Sequence, residues 1–136
     1  MADKQKLSDY LAECGVFYFG TVLDGAPVMR PLGFQMVCDG ELYLGVGTHK
    51  DVYAQLKADP NVSICATRPN KTSWVRVSGK AVCDDNSTLV DAAFDAMPQL
   101  KPLYEQNGWK MGIFHLEQGK VTYYENLMVP VEVEEF

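Results

Sequence analysis

The segment Thr48-His49-Lys50 combines the residue types that suit binding of an anion. It follows a predicted strand over residues 41 to 47 and lies at the start of a predicted helix over residues 49 to 58. Free backbone N–H groups at a helix start, together with a hydroxyl and a cation, can hold a phosphate. Gly45 and Gly47 would let the backbone come close to a ligand.

The same three residues also have a purely structural explanation. Thr48 could cap the helix, with His49 and Lys50 exposed in its first turn. A lysine in the first turn opposes the helix dipole, which favours a functional role for Lys50.

A second candidate is Arg30-Pro31-Leu32-Gly33-Phe34, inside a predicted strand over residues 26 to 38. An arginine beside proline and glycine is an unusual choice for a plain strand, and Pro31 indicates a bulge or an edge. Gly33 offers bare backbone against which a flat ring could lie. The alternative is an edge arginine whose guanidinium reaches solvent.

Trp74 begins a third segment, Trp74-Val75-Arg76-Val77-Ser78-Gly79. Its indole could belong to the core, to the aromatic wall of a pocket or to a dimer interface. His115 lies in the apolar run Ile113-Phe114-His115-Leu116, which indicates a satisfied histidine, buried or half-exposed, rather than a catalytic base.

Neither metal nor nucleophile motifs accompany these segments. The cysteines form no CxxC pair and adjoin apolar residues, so we expect buried, reduced thiols: Cys14, Cys38, Cys65 and Cys83. Neither histidine has metal-ligand spacing around it, and the chain contains no HExxH, Walker or GxSxG element. We therefore predict no metal site and name no catalytic residue.

The elements that must position these residues are mainly strands. The chain has 136 residues, 47% of them hydrophobic and 22% charged, which predicts a single domain over residues 1–136. Asp24-Gly25 and Asp39-Gly40 are hairpin signals between alternating strands. Further strands are predicted at residues 62 to 68 and 73 to 83, and a last hairpin at 111 to 117 and 120 to 125. Helices are predicted at residues 4 to 14, 87 to 97 and 100 to 107. About seven short antiparallel strands with inserted helices favour a closed barrel.

Charge excludes several partners. Twelve basic and eighteen acidic residues leave a net charge of -6, which disfavours nucleic acids and anionic membranes. The acid is concentrated in residues 84 to 95 and in the tail from Glu132, which we interpret as a solubilising end. No apolar run has the length of a signal peptide or a membrane span, so we predict a cytoplasmic protein.

The order of these elements resembles the pyridoxamine 5'-phosphate oxidase-like flavin-binding split-barrel proteins, and in particular the short form that includes the nitroimidazole-resistance proteins. The resemblance covers roughly residues 10 to 125. It is carried by Arg30-Pro31-Leu32-Gly33-Phe34, Asp39-Gly40-Glu41-Leu42-Tyr43-Leu44, Thr48-His49-Lys50, Val52-Tyr53-Ala54-Gln55-Leu56, Asp59-Pro60-Asn61-Val62 and Trp74-Val75-Arg76-Val77-Ser78-Gly79-Lys80-Ala81.

The resemblance implies a mainly β fold with inserted helices: a six-stranded antiparallel split β-barrel with Greek-key connections. It also implies a homodimer with two FMN sites at its interface. By position, Arg30 and Lys50 would contact the FMN phosphate, with Thr48 and His49 adding donors. Pro31 belongs to the same segment, in which Leu32, Gly33 and Phe34 would run along the isoalloxazine ring. Trp74 stands where the family has a flavin-contacting residue that the partner chain often donates.

The resemblance therefore implies an FMN-dependent oxidoreductase acting on a small, flat acceptor such as a quinone or a nitro compound. A flavin- or haem-binding module without turnover is the alternative, and a structural dimer without cofactor is a third. The chain departs from the full-length oxidase in two places. It has Thr48-His49-Lys50 where that enzyme has Ser-Arg-Lys, and its acidic C-terminus would repel a phosphorylated substrate.

Overall fold

Two tight turns begin the sheet. Asp24 and Asp39 adopt positive φ angles of 51° and 50°, and the glycine after each has a φ near 80°. Paired positive φ values are those of the two-residue hairpin turn that Asp-Gly favours, so these hairpins are confirmed.

The computed structural model describes residues 2–84 and 86–136. Its four helices are α1 (Lys4–Cys14), α2 (Asp51–Ala58), α3 (Ser87–Ala96) and α4 (Leu100–Asn107). Its strands are β1 (Phe17–Leu23), β2 (Ala26–Leu32), β3 (Gln35–Cys38), β4 (Glu41–Gly47), β5 (Asn61–Thr67), β6 (Trp74–Cys83), β7 (Met111–Tyr124) and β8 (Pro130–Glu135).

The sheet curls back on itself through one short connection. Its strand order is β2-β1-β5-β6-β7-β4-β3, and β8 pairs with β7 beside this path. The outermost strands, β2 and β3, are separated in sequence only by Gly33 and Phe34. The strand predicted over residues 26 to 38 is therefore two strands, and the break between them bends the chain from one edge of the barrel to the other.

This arrangement is a mainly β, antiparallel split barrel, as predicted. The structure has eight strands within its described residues rather than six. The count is six strands when β2 and β3 are counted as one bent strand and β8 is not counted. Pro31 lies on β2, which pairs only with β1, so the predicted edge position is confirmed.

The predicted last hairpin is wrong, because residues 111 to 124 form one long strand. Gln118 has a positive φ of 52°, but the chain does not reverse there. Glu117 pairs with Lys80 and Lys120 pairs with Ser78, so the register shifts while β6 stays alongside. A shift of this kind is a β-bulge, which bends the strand and continues it.

The acidic tail is also ordered rather than a simple solubilising end. Its residues form β8, in which Val133 pairs with Thr122 of β7. The C-terminal Phe136 exchanges backbone hydrogen bonds with Gly119, at 3.1 and 3.3 Å. Alternation of valine and glutamate in this tail is a strand pattern, since period-2 alternation places the two kinds of side chain on opposite faces.

Two clusters of buried side chains form the core. The larger fills the barrel and includes Phe17, Phe19 and Phe114, with α1 and α2 packed on it. The smaller joins β3 and β7 to α3 and α4 around Ala93 and Ile113. The prediction for α3 is confirmed, and its cap residue Asn86 accepts a hydrogen bond from the Thr88 N–H at 2.8 Å. No described helix has the length and apolar character needed to cross a membrane.

Two buried tyrosines meet where α1 packs on β7. The rings of Tyr10 and Tyr123 lie edge to face with centroids 5.3 Å apart. Neither hydroxyl has a hydrogen-bond partner among the described residues. Burial raises the pKa of Tyr123 strongly, and the nearby carboxylates of Glu134, Glu132 and Asp3 raise it further.

We expect Tyr123→Phe to raise the free energy of unfolding by about 1 kcal/mol at pH 7, because it removes a buried hydroxyl without a partner. An unfolded tyrosine ionises near pH ~10 and the folded Tyr123 at higher pH. The free energy of unfolding of the wild type therefore falls as the pH rises above ~10, and that of Tyr123→Phe should fall less. Urea unfolding at pH 7 and pH 10.5 measures both effects, with the half-buried Tyr53→Phe on α2 as control. A loss of stability at pH 7 would contradict the prediction.

Candidate functional site

Arg30 is held in a closed network of hydrogen bonds between β1 and α2. Its Nη1 donates to Thr21 Oγ1 at 2.7 Å and to the carbonyl of Phe19 at 3.2 Å. Its Nη2 donates to Gln55 Oε1 at 2.7 Å. The Thr21 hydroxyl also donates to Gln55 Oε1, at 2.6 Å. The guanidinium therefore bridges strand β1 to helix α2 instead of reaching freely into solvent.

Among the described residues, Arg30 has only neutral direct partners: a hydroxyl, an amide oxygen and a backbone carbonyl. Burial lowers the pKa of Arg30, and the more distant carboxylate of Asp51 partly offsets this. Arg30 is only partly buried, and no carboxylate contacts it among the described residues. Its guanidinium could therefore bind an anion directly.

The start of α2 lies about one helical turn before Gln55, the residue of this helix that bonds to Arg30. Lys50 is the cap residue of this helix and makes no side-chain capping hydrogen bond. Helix starts carry backbone N–H groups without intrahelical partners and a partial positive charge. Asp51, whose charge acts on Arg30, is the first residue of the helix. Arg30 therefore lies near the first turn of α2, which Lys50 directly precedes.

Thr48 is not the helix cap, because α2 begins at Asp51 rather than at residue 49. The Thr48 N–H donates to the carbonyl of Lys110 at 2.8 Å. Its side chain is half-buried and has no described hydrogen bond to the start of α2. The hydroxyl therefore stays available as a donor beside Lys50.

His49 turns away toward α4. Its ring stacks on Trp109 with centroids 4.2 Å apart and meets Tyr104 edge to face at 6.2 Å. A Cβ on Gly47 would lie 2.4 Å from the His49 ring. The bare backbone at Gly47 thus makes room for His49, not for a ligand as predicted.

The second segment divides into open and packed residues. Phe34 is half-buried against the smaller core cluster, and a Cβ on Gly45 would lie 2.9 Å from its ring. Leu32 packs on the larger cluster, while Pro31 and Gly33 are exposed. The nearest atom to a Cβ on Gly33 would be 3.9 Å away, so its backbone is open to a flat group.

Trp74 lies apart from the other candidates, because β1 and β5 separate its strand from β2. It is half-buried and stacks on Tyr124 with centroids 4.0 Å apart and planes 5° from parallel. Its indole N–H donates to the carbonyl of Leu127 at 3.0 Å. Within one chain Trp74 does not join the Arg30 site, and it is not part of the core.

His115 is a satisfied, half-buried histidine, as predicted. Its Nδ1 lies 2.6 Å from Asp84 Oδ2, and its side chain is 18% exposed.

The four cysteines are free, as predicted, but half-buried rather than buried. Burial raises the pKa of Cys14 and Cys65, which disfavours reactive thiolates there. No group of three or more metal-ligating side chains occurs in the described part of the chain.

Sequence reasoning missed the residues that hold Arg30 in place. Gln55 is buried although it is polar, and Thr21 is 2% exposed. A signal was present at Gln55, because it lies three residues after Val52 on the inward face of α2. A buried amide needs hydrogen-bond partners, and Arg30 and Thr21 supply them.

Comparisons with known proteins identify the family and the fold. The family model described as pyridoxamine 5'-phosphate oxidase matches residues 3–104. A solved NimC/NimA family protein from Clostridium acetobutylicum is 27% identical with a TM-score of 0.84, covering 97% of this chain and 90% of that one. No curated protein sequence matches.

Two further solved structures share the fold. A pyridoxamine 5'-phosphate oxidase-related, FMN-binding protein from Nostoc punctiforme is 18% identical with a TM-score of 0.67, covering 92% of this chain and 86% of that one. A haem-binding protein from Mycobacterium smegmatis is 16% identical with a TM-score of 0.72, covering 99% and 58%. Proteins of this fold thus include binders of flavin and of haem. Because the family model matches well over half of the sequence, the chain belongs to the pyridoxamine 5'-phosphate oxidase family.

Proposed function

We propose that the protein binds FMN and is an FMN-dependent oxidoreductase that reduces a small, flat acceptor, such as a quinone or a nitro compound. The observation that carries the proposal is the cation of Arg30, partly buried, bonded only to neutral oxygens and placed near the first turn of α2. A phosphate could bind this guanidinium directly.

The residues present fit a phosphate. Arg30 and Lys50 provide two cations, and the start of α2 lacks a side-chain cap. Thr48 offers a hydroxyl beside Lys50. Hydrogen bonds to charged groups contribute about 1.5 to 3 kcal/mol each, so three or four of them would hold the phosphate firmly.

A flat ring fits next to this anchor. Pro31 and Gly33 are exposed and Leu32 is half-buried on the core. The open backbone at Gly33 would face the ring without a side chain between them. Bound FMN supplies the hydride and electron transfer, so the residues of the chain need only bind and orient it.

A haem is the alternative cofactor, because a haem-binding protein shares this fold. His115 bonds to Asp84 through Nδ1, and a histidine held in this way by a carboxylate can still bind a metal through Nε2. We favour FMN because Arg30 and Lys50 supply two cations for its phosphate.

The proposed active form is a homodimer with cofactor sites at the interface. Trp74 would reach the partner's flavin, since two strands separate it from Arg30 in its own chain. Exposed apolar side chains support this on the outer face of the sheet: Tyr18, Met29 and Val133 are each more than 50% exposed. Such a face is commonly covered by a protein partner.

The electron acceptor is unphosphorylated in this proposal. Glu132, Glu134 and Glu135 lie in β8 at the end of the chain. Their charge would repel a substrate phosphate, and the cations Arg30 and Lys50 are already assigned to the cofactor. We therefore do not assign oxidation of pyridoxamine phosphate to this chain.

Absorption spectra test the proposal directly. We expect the purified protein, after incubation with FMN and gel filtration, to keep flavin bands at one FMN per chain and to sediment as a dimer. It should then oxidise NAD(P)H in the presence of a quinone or nitro acceptor. A colourless protein after FMN incubation would contradict FMN binding, and a Soret band after haem incubation would favour the alternative. If the protein keeps FMN but shows no turnover, it is a binding module rather than an enzyme.

A further inference from the structure

Gln55 and Thr21 form a buried pair of side chains that hydrogen-bond to Arg30. Both side chains are buried, at 7% and 2% exposure. Each presents an oxygen to Arg30 at 2.7 Å, and a bond of 2.6 Å joins the pair. The triangle leaves the guanidinium little freedom to rotate.

The nitrogens that the triangle uses determine which edge of the guanidinium stays free. Nη1 makes two hydrogen bonds, which use both of its N–H groups. Nη2 makes one, to Gln55. An arginine has five N–H donors in a rigid fork. Because the Thr21 and Gln55 oxygens adjoin each other, the Nη1 and Nη2 bonds to them use the edge between these two nitrogens. The Nε–H and the second Nη2–H have no partner among the described residues, and they point the same way along the other edge.

Two parallel N–H donors match two oxygens of a phosphate. We infer that Gln55, supported by Thr21, is a positioning residue that holds this edge of Arg30 toward the cofactor phosphate, and that it thereby gives the site its preference for FMN over riboflavin. This inference rests on the proposed function and adds the residue that sets cofactor choice.

The neutrality of Gln55 is part of the argument. A glutamate there would have the same size and would place a carboxylate beside Nη2, where the amide oxygen now lies 2.7 Å away. It would neutralise Arg30 from within the protein and compete with the phosphate. A glutamine fixes the guanidinium and leaves its charge unpaired.

Binding of FMN and riboflavin to three variants tests the inference. We expect Gln55→Glu and Gln55→Met each to weaken FMN binding at least tenfold and to change riboflavin binding less than twofold. Gln35→Met is the matched control, because this glutamine is also partly buried but bonds to Ser8 instead. It should change neither affinity.

Unfolding of the FMN-free variants separates positioning from structural support. Gln55→Glu should be as stable as the wild type or more stable, since it pairs a charge, while it binds FMN more weakly. Equal losses for FMN and riboflavin would overturn the inference and leave Gln55 a structural residue. Unchanged FMN binding in both Gln55 variants, with FMN bound by the wild type, would overturn it and leave the proposed function standing. Failure of the wild type to bind FMN would contradict both the inference and the proposed function.

Discussion

Replacing Arg30 by methionine is expected to weaken FMN binding by more than about 100-fold. The variant removes two charge-assisted N–H donors to the phosphate, each contributing about 1.5 to 3 kcal/mol. Lys50→Met should weaken FMN binding by about tenfold, because an exposed ammonium is better hydrated and less fixed. Fluorescence titration, which follows quenching of the flavin, measures both affinities.

Riboflavin and Lys57 provide the controls for this experiment. Riboflavin lacks the phosphate, so its affinity should change little in either variant. Lys57 lies in the last turn of α2, the helix that Lys50 precedes. Its ammonium lies 5.7 Å from the Tyr53 ring centroid. Lys57→Met should leave FMN binding unchanged. Wild-type FMN affinity in both Arg30→Met and Lys50→Met would show that the phosphate site is elsewhere.

Gly119→Ala is expected to lower the free energy of unfolding by about 3 kcal/mol. A Cβ at this position would lie 1.8 Å from the carbonyl oxygen of Ser78, and backbone atoms cannot give way as a flexible side chain can. Overpacking in a tight site costs about 1 to 3 kcal/mol or more. The bulge, the β6–β7 pairing and the hydrogen bonds to Phe136 would all have to shift. Urea unfolding at pH 7 measures the change.

Gly20→Ala is the matched control for Gly119→Ala. It also lies within a strand, but its Cβ would meet no atom closer than 3.5 Å, which is ordinary contact. Its unfolding free energy should stay within about 1 kcal/mol of the wild type. Equal stability of the two alanine variants would show that the bulge at Gly119 is not a tight contact.

The sequence predicts much of this fold because its local signals are unambiguous. Asp24-Gly25 and Asp39-Gly40 define the first hairpins, and Asn86 begins α3. The wrong predictions concern contacts between residues that are far apart in the sequence. Gln118-Gly119 has the composition of a turn, yet the chain continues because β6 pairs with both halves of β7. The tail alternates like a strand, but only β7 gives it a partner.

The candidate site shows the same division. Residue types alone identify Arg30 and Lys50 as cations near a helix start, and the resemblance of the whole chain implies a phosphate. Gly45 and Gly47 suggest room for a ligand, whereas the structure fills that room with Phe34 and His49. A glycine shows that something comes close to the backbone, but its neighbours in space decide what that is.

By itself, therefore, the sequence predicts the family, the antiparallel barrel and the candidate cations Arg30 and Lys50. Only the tertiary structure decides how Arg30 is used. Its partners, Thr21 and Gln55, come from a different strand and from a helix. Hydrogen bonds depend on distance and direction between atoms that the chain brings together only on folding. The unpaired charge of Arg30, and with it the case for a bound phosphate, is a property of that geometry.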